Sequence, residues 1–288
     1  MASPFDTGAA LATFDRQIRR SLEPLQPGWL VEQAGDVIRT TSPTTVPDGC
    51  FVIWSELASA SADRAIREQI THFAGLDGGR GRRFEWKLYG HDRPADLAAR
   101  LLAAGFEAED PETLVIGLAA EVLATAQASP GPSLADLTIR EVSETTLDAD
   151  LAGIGAMHDA VWGRDFSSLM EELRLEHTVD PSALRIHLAE APGPGGEPLT
   201  LSSAWLRLQS GTEFASMWGG STRAEWRGRG LYRELVRRRA AQTVEAGFRY
   251  LQVDASPDSR PILEGLGFHV VTWTQPFIWS PARPRGDV

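Results

Sequence analysis

The feature that most constrains this chain is a turn rich in glycine and arginine, Glu225-Trp-Arg-Gly-Arg-Gly-Leu-Tyr232, between two runs of different periodicity. Before it, Glu213–Ser221 alternates as a strand does. After it, Leu231–Ala246 repeats at helical spacing. A glycine-rich turn from a strand into a helix matters first for what it exposes. The turn is chemically specific. The first N–H groups of a helix have no internal partner, and the helix dipole adds partial positive charge there. Gly228 and Gly230 remove side chains that would keep a ligand off the backbone. Arg227 and Arg229 add forked, permanently charged donors. The sum predicts a polyanion site, and a pyrophosphate fits it.

Three readings of the turn stand side by side. Glycine-rich turns before helices are common, so the turn can be purely structural. It can also belong to a dinucleotide site. Gly228-Arg-Gly230-Leu-Tyr-Arg233 begins like G-x-G-x-x-G, and Asp254 ends the next strand near where a ribose-binding acid belongs. Against this, Arg233 replaces the third glycine, and too little chain follows Asp254 for further βαβ units.

The third reading is an acyl-CoA site, carried by a resemblance. Arg227-Gly-Arg-Gly230 resembles the R/Q-x-x-G-x-G/A loop of the GCN5-related N-acetyltransferases (GNAT family), with Tyr232 at the position usually held by Gly or Ala. Downstream, Ser256-Pro-Asp-Ser-Arg-Pro-Ile-Leu-Glu-Gly-Leu-Gly-Phe268 resembles the family's N-x-x-A-x-x-x-Y-x-x-x-G-F segment. The resemblance spans about residues 135–280.

What the resemblance implies is direct transfer of an acyl group, acetyl from acetyl-CoA, to the primary amine of a small molecule. Thr222 and nearby strand backbone would pair with pantetheine. The N–H groups of Gly228–Leu231, with Arg227 and Arg229, would hold the pyrophosphate. Ser256 stands where an asparagine contacts pantetheine. Leu263 stands where a tyrosine often protonates the leaving thiolate, which leaves that step to water, Tyr232 or Ser259. A glutamate on the strand before the loop often serves as base. The nearest acid is Glu213, at that strand's start, while the commonest spacing falls on Ser216. A base or desolvation is needed, because an alkylamine is neutral only about once in 2,500 molecules at pH 7. The acceptor is expected beneath the first two helices of the domain, where His158, Asp159, Trp162 and Asp165 cluster. A non-catalytic acyl-CoA binder or sensor is the alternative.

Composition narrows the field. With 288 residues, two domains are expected, and a hydrophobic fraction of 42% is enough for packed cores. A net charge of −11 opposes nucleic-acid binding, so Arg237-Arg238-Arg239 is expected to be a solvated helix face. The single cysteine, Cys50, excludes an internal disulfide and is expected to be a buried hydrophobe. No metal-ligand spacing is present. No signal-peptide core or membrane span is legible, and the longest apolar run, near Leu114–Leu123, is too short to cross a bilayer. A cytoplasmic protein, monomer or homodimer, is expected.

Ser129-Pro-Gly-Pro-Ser133 suggests a linker. The expectation is two GNAT-like domains, each a mixed, mostly antiparallel sheet flanked by helices: a degenerate copy over 1–128, a linker over 129–134, an acyl-CoA-binding copy over 135–280 and a flexible tail over 281–288. The first copy repeats the late motif as Pro94-Ala-Asp-Leu-Ala-Ala-Arg-Leu-Leu-Ala-Ala-Gly-Phe106. Where the second copy has its phosphate loop, the first has Glu56-Leu-Ala-Ser-Ala-Ser-Ala-Asp63, without glycine or arginine. One acyl-CoA site per chain is therefore expected, in an arrangement that resembles tandem GNAT proteins, a group that includes mycothiol synthases.

Overall fold

The computed structural model describes residues 5–43, 49–128 and 134–281. The segment expected as a linker, Ser129–Ser133, and the tail beyond residue 281 lie outside them. The chain forms two compact units. Among the described residues, the first holds those of Gly8–Leu114 and those from Val271; the second holds those of Val115–Val270 and those up to Thr7. This division differs from the expected one near residues 128–135. The apolar run around Leu114–Leu123 turns out to be a strand and a helix that belong mainly to the second unit.

In the first unit, α1 (Thr7–Phe14) opens into a wider helical turn, Asp15–Arg19. β1 (Leu30–Ala34) and β2 (Val37–Thr41) form a hairpin, and β3 (Cys50–Ser55) pairs antiparallel with β2. α2 (Ala62–Ala74) and a short irregular turn, α3 (Leu76–Gly79), lead to β4 (Phe84–Tyr89), which is parallel to β3. α4 (Leu97–Ala103) and β5 (Glu107–Ala108) follow.

The second unit begins within β6 (Glu112–Leu118) and continues through α5 (Ala119–Ala128), β7 (Thr138–Glu141), α6 (Leu147–Trp162) and α7 (Ser167–Val179). The meander β8 (Leu184–Pro192), β9 (Pro198–Leu208) and β10 (Phe214–Thr222) comes next, then α8 (Leu231–Glu245), β11 (Tyr250–Ala255) and α9 (Arg260–Glu264). The last strand, β12 (His269–Trp279), pairs through Thr274–Trp279 with β4. The first unit's sheet thus runs β1-β2-β3-β4-β12, and the second unit's runs β6-β11-β10-β9-β8-β7.

Both sheets are mixed and mostly antiparallel, with helices against them. The first unit packs Val52, Ile66, Phe73, Phe84, Trp86, Leu101 and Phe277 into one core. In the second, alternate residues of β9 enter opposite cores, because successive strand side chains point to opposite faces. Leu206 joins Met217, Val236, Leu251 and Leu263, while Trp205 joins Ile154, Leu173 and Ile186.

The duplication is visible in backbone detail. Gly105 and Gly267 have φ of +92° and +94°. The N–H of Phe106 donates to Leu101 O and that of Phe268 to Leu263 O, each at 3.1 Å. Only glycine takes this left-handed C-terminal turn without strain, so both helices end identically and both phenylalanines are returned to a core.

Candidate active site

β10 is the strand that opens the site. Its parallel pairing with β11 covers Phe214–Ser216 against Tyr250–Gln252, and both strands run on beyond those pairs. Along its other edge the register with β9 slips between Trp218 and Ser221. The irregular residues are glycines, and each must be one. Gly219 has φ of +61°, and a Cβ there would lie 1.8 Å from the Trp205 ring. A Cβ on Gly220 would lie 2.7 Å from the Tyr232 ring. A bulge bends its strand, and the end of β10 parts from β11 beside the turn into α8.

That turn is tied to the sheet. Arg223 donates from Nε to Thr200 O at 2.8 Å, and Arg227 from Nε to Thr222 O at 3.2 Å. Gly228 and Gly230 both lie in the left-handed region, at φ of +73° and +86°. Gly230 precedes α8 with no side chain capping the helix, so its first N–H groups remain available to a ligand. Leu231 is buried against Ala189 and Leu201 and anchors the helix start. Arg227, Gly228 and Arg229 are exposed, and the Arg229 guanidinium lies 4.4 Å over the Trp226 ring. The turn brings Thr222, Arg227, Gly228, Arg229, Gly230 and Leu231 together around one open helix end.

A second group faces the parted strands. Tyr232 packs its ring on the core and against Gly220, with Ser259 close enough to its hydroxyl to oppose part of the effect of burial. Burial holds the phenol above its ordinary value, so it is protonated at neutral pH. Ser259 lies 3.2 Å, Oγ to Oγ, from Ser256. Leu263 is buried in the core and presents nothing to the site. The ring of Tyr232 is thereby turned away from the open N–H groups of α8.

Glu213 is not brought to this site. It precedes β10 at the end opposite Thr222, about 30 Å away along an extended strand, and pairs with Arg249 at 3.3 Å. Ser216, at the family's usual spacing, is fully buried.

The cluster expected beneath the first helices divides. Asp159 and Asp165 accept from the N–H of Phe166 and Ser167, at 2.9 and 2.8 Å, so both serve the α6–α7 turn. His158 is buried, 3.0 Å from Ser203 Oγ, and burial pushes its pKa down to about 4. Trp162 is 60% exposed, yet its indole N–H donates to Ser221 Oγ at 2.8 Å, which places it at the end of β10. Sequence spacing offered no sign of that bond. The arginine run divides too. Arg237 and Arg238 pair with Glu234, but Arg239 is buried beside Val236 and Ala240 and donates to Leu235 O. It falls on the core face of α8, which overrides its charge.

The first unit has a matching pair of parallel strands, and its own side chain fills the gap. β3 and β4 pair at Phe51–Val52 against Glu85–Trp86 and then run on. Beyond that point the Arg19 guanidinium donates to Ile53 O at 3.1 Å and lies 4.6 Å from the Trp54 ring and 3.8 Å from the Tyr89 ring. Asp92 and Asp15 hold it there.

No protein-family model and no curated protein sequence matches the chain. Its fold does match solved structures. A GCN5-related N-acetyltransferase from Kribbella flavida is 16% identical with a TM-score of 0.61, over 96% of this chain and 95% of that one. A GCN5-related N-acetyltransferase from Sphaerobacter thermophilus is 14% identical, TM-score 0.55, over 88% and 79%. A tandem GNAT protein from the clavulanic acid biosynthesis pathway is 14% identical, TM-score 0.54, over 98% and 90%. The open strand pair, the glycine turn and the repeated glycine–phenylalanine step therefore belong to a recognised architecture: the chain has the fold of the GNAT acetyltransferases, in tandem arrangement.

Proposed function

We propose that the chain is an acyl-CoA-dependent N-acyltransferase that moves acetyl directly from acetyl-CoA to the primary amine of a small molecule, using the second unit alone. The observation that carries this reading is the uncapped start of α8, lined by Gly228, Gly230, Arg227 and Arg229, beside the gap between β10 and β11. A pyrophosphate there would meet free N–H groups, the helix dipole and two guanidinium groups. The pantetheine arm would follow Thr222 and the unpaired edge of β10, with Ser256 and Ser259 on the facing side. Tyr232, protonated and in contact with Ser259, is the group suited to give a proton to the leaving thiolate. In the first unit Arg19 occupies the corresponding gap, which supports one site per chain. No helix of the described residues is long and apolar enough to cross a membrane. Action in the cytoplasm, as monomer or homodimer, completes the reading.

Calorimetric titration with acetyl-CoA tests it. One site per chain is expected for the wild type and none for Arg227→Ala/Gly230→Glu, with circular dichroism unchanged. Wild-type affinity in the double variant would sink the site assignment, and two sites would sink the account of the first unit. Binding without turnover of any amine would leave a sensor in place of an enzyme.

A further inference from the structure

With Glu213 remote and Ser216 buried, the base for the amine has to come from elsewhere. Arg207 of β9 faces Ser216 directly across the ladder, at the last residue where β10 still pairs with β11. Its guanidinium is buried and held by Glu176 of α7: Nε lies 2.9 and 3.0 Å from the two carboxylate oxygens, and Nη2 lies 2.9 Å from Oε2. Glu172, one helical turn earlier, comes no closer than 3.9 Å to the same Nη2. One cation thus faces two carboxylates, and Glu176 holds it. The Glu172 side chain is 22% exposed, so a small ligand can reach it. Burial holds its carboxyl above the ordinary value, Glu176 adding to the rise and Arg207 opposing it.

The same guanidinium also lies against an aromatic face. Trp218, on the same side of β10 as Ser216, is 42% exposed. Its indole N–H donates to Ser216 Oγ at 2.8 Å, which fixes the ring, and Arg207 lies 5.3 Å from the ring centre. Two carboxylates share the single Arg207 cation, so a negative charge is left over beside an oriented and exposed indole that the same guanidinium touches, and the group is complementary to an ammonium. The pair sits where β10 and β11 part, roughly 13 Å of strand before Thr222.

We propose that Glu172 and Trp218 bind the acceptor as a cationic primary amine, and that Glu172 takes the proton its nitrogen must lose before attack. The proposal rests on the acyl-transfer reading of the neighbouring gap. The ammonium gives one proton to the Glu172 carboxylate, which passes it to solvent. The freed lone pair attacks the thioester carbonyl carbon, the C–N bond forms, and the C–S bond breaks with its electrons going to sulfur. The nitrogen loses a second proton as the amide forms, and the thiolate takes one up. Glu172, with its carboxyl raised by burial, is better matched to this transfer than an exposed glutamate.

Titration of the indole N–H resonances with n-butylammonium chloride, and with butanol as the uncharged match, tests the pocket. The Trp218 resonance is identified by its absence in Trp218→Phe. It should move with butylammonium and not with butanol, and the movement should be lost in Glu172→Gln. Glu172→Gln should keep wild-type acetyl-CoA affinity by calorimetry, which shows that it is folded. Glu171→Gln, exposed on the same helix, should keep the butylammonium response. A Trp218 resonance that answers both probes alike, answers neither, or is unaffected by Glu172→Gln would overturn the proposal. Failure of the wild type to bind acetyl-CoA would instead overturn the acyl-transfer reading, and the butylammonium result stands apart from it.

Discussion

Arg19 meets both carboxylate oxygens of Asp92 at 2.8 Å, with side chains 2% and 1% exposed. The pair closes the gap between β3 and β4, so its loss should be felt as stability of the first unit. Asp92→Asn removes one of the two carboxylates on the buried guanidinium and leaves Asp15 alone to hold it, an expected cost of about 3 kcal/mol. Arg19→Met/Asp92→Leu should cost less than the single change, because both members of the most buried pair go together and Asp15 keeps His91. Urea unfolding of the variants checks both, and a larger loss in the double variant would contradict the argument.

Tyr232→Phe keeps the ring packed against Gly220 and deletes only the hydroxyl. Turnover should fall about 10²-fold if that proton matters to the departing thiolate. Acetyl-CoA affinity should stay within about twofold, since the ring packing beside the α8 start is kept. Steady-state rates and calorimetry on one preparation separate the two. Unchanged turnover would return the acid role to water.

Gly219→Ala is expected to be severe. Its φ of +61° disfavours any Cβ, and the added carbon would lie 1.8 Å from the buried Trp205 ring. Overpacking of this kind costs about 1–3 kcal/mol or more. The melting temperature should drop by several degrees. Gly228→Ala is the control: its φ is +73°, but open space surrounds the new carbon, so only backbone strain of about 1 kcal/mol is expected.

His158 sets a pH dependence. Its folded pKa is pushed down to about 4, by burial first, from an ordinary value of 6.5. Below pH 6.5 the unfolded chain takes up a proton that the folded chain refuses until about pH 4. Stability should therefore be full above 6.5 and fall as the pH drops through that window, by on the order of 3 kcal/mol. Unfolding free energies between pH 7 and 4 should fall less steeply for His158→Gln than for the wild type. Parallel slopes would show that other groups govern the acid limb.

The order of elements was largely legible in the sequence, because alternation and helical spacing survive where one face of an element is solvated. The strand expected over Glu213–Ser221 and the helix expected over Leu231–Ala246 fall within one residue of β10 and α8 at each end. The run around Leu114–Leu123 was not read as β6 and α5, since an apolar stretch without period does not distinguish strand from helix. That omission also displaced the expected division between the units.

By itself the sequence determined the local chemistry. Glycines at 228 and 230, arginines at 227 and 229, and the twice-repeated glycine–phenylalanine step are properties of contiguous residues, and backbone sterics make them readable. Only the tertiary structure decided which distant groups meet. It carried Glu213 to the wrong end of β10, buried Arg239, joined Trp162 to Ser221, and brought Glu172 and Trp218 to the same guanidinium, that of Arg207. It also drove Arg19 into the first unit's gap. Those pairings depend on strand register, on a bulge and on which face of a helix turns inward, and none of these is encoded in the spacing of the residues concerned.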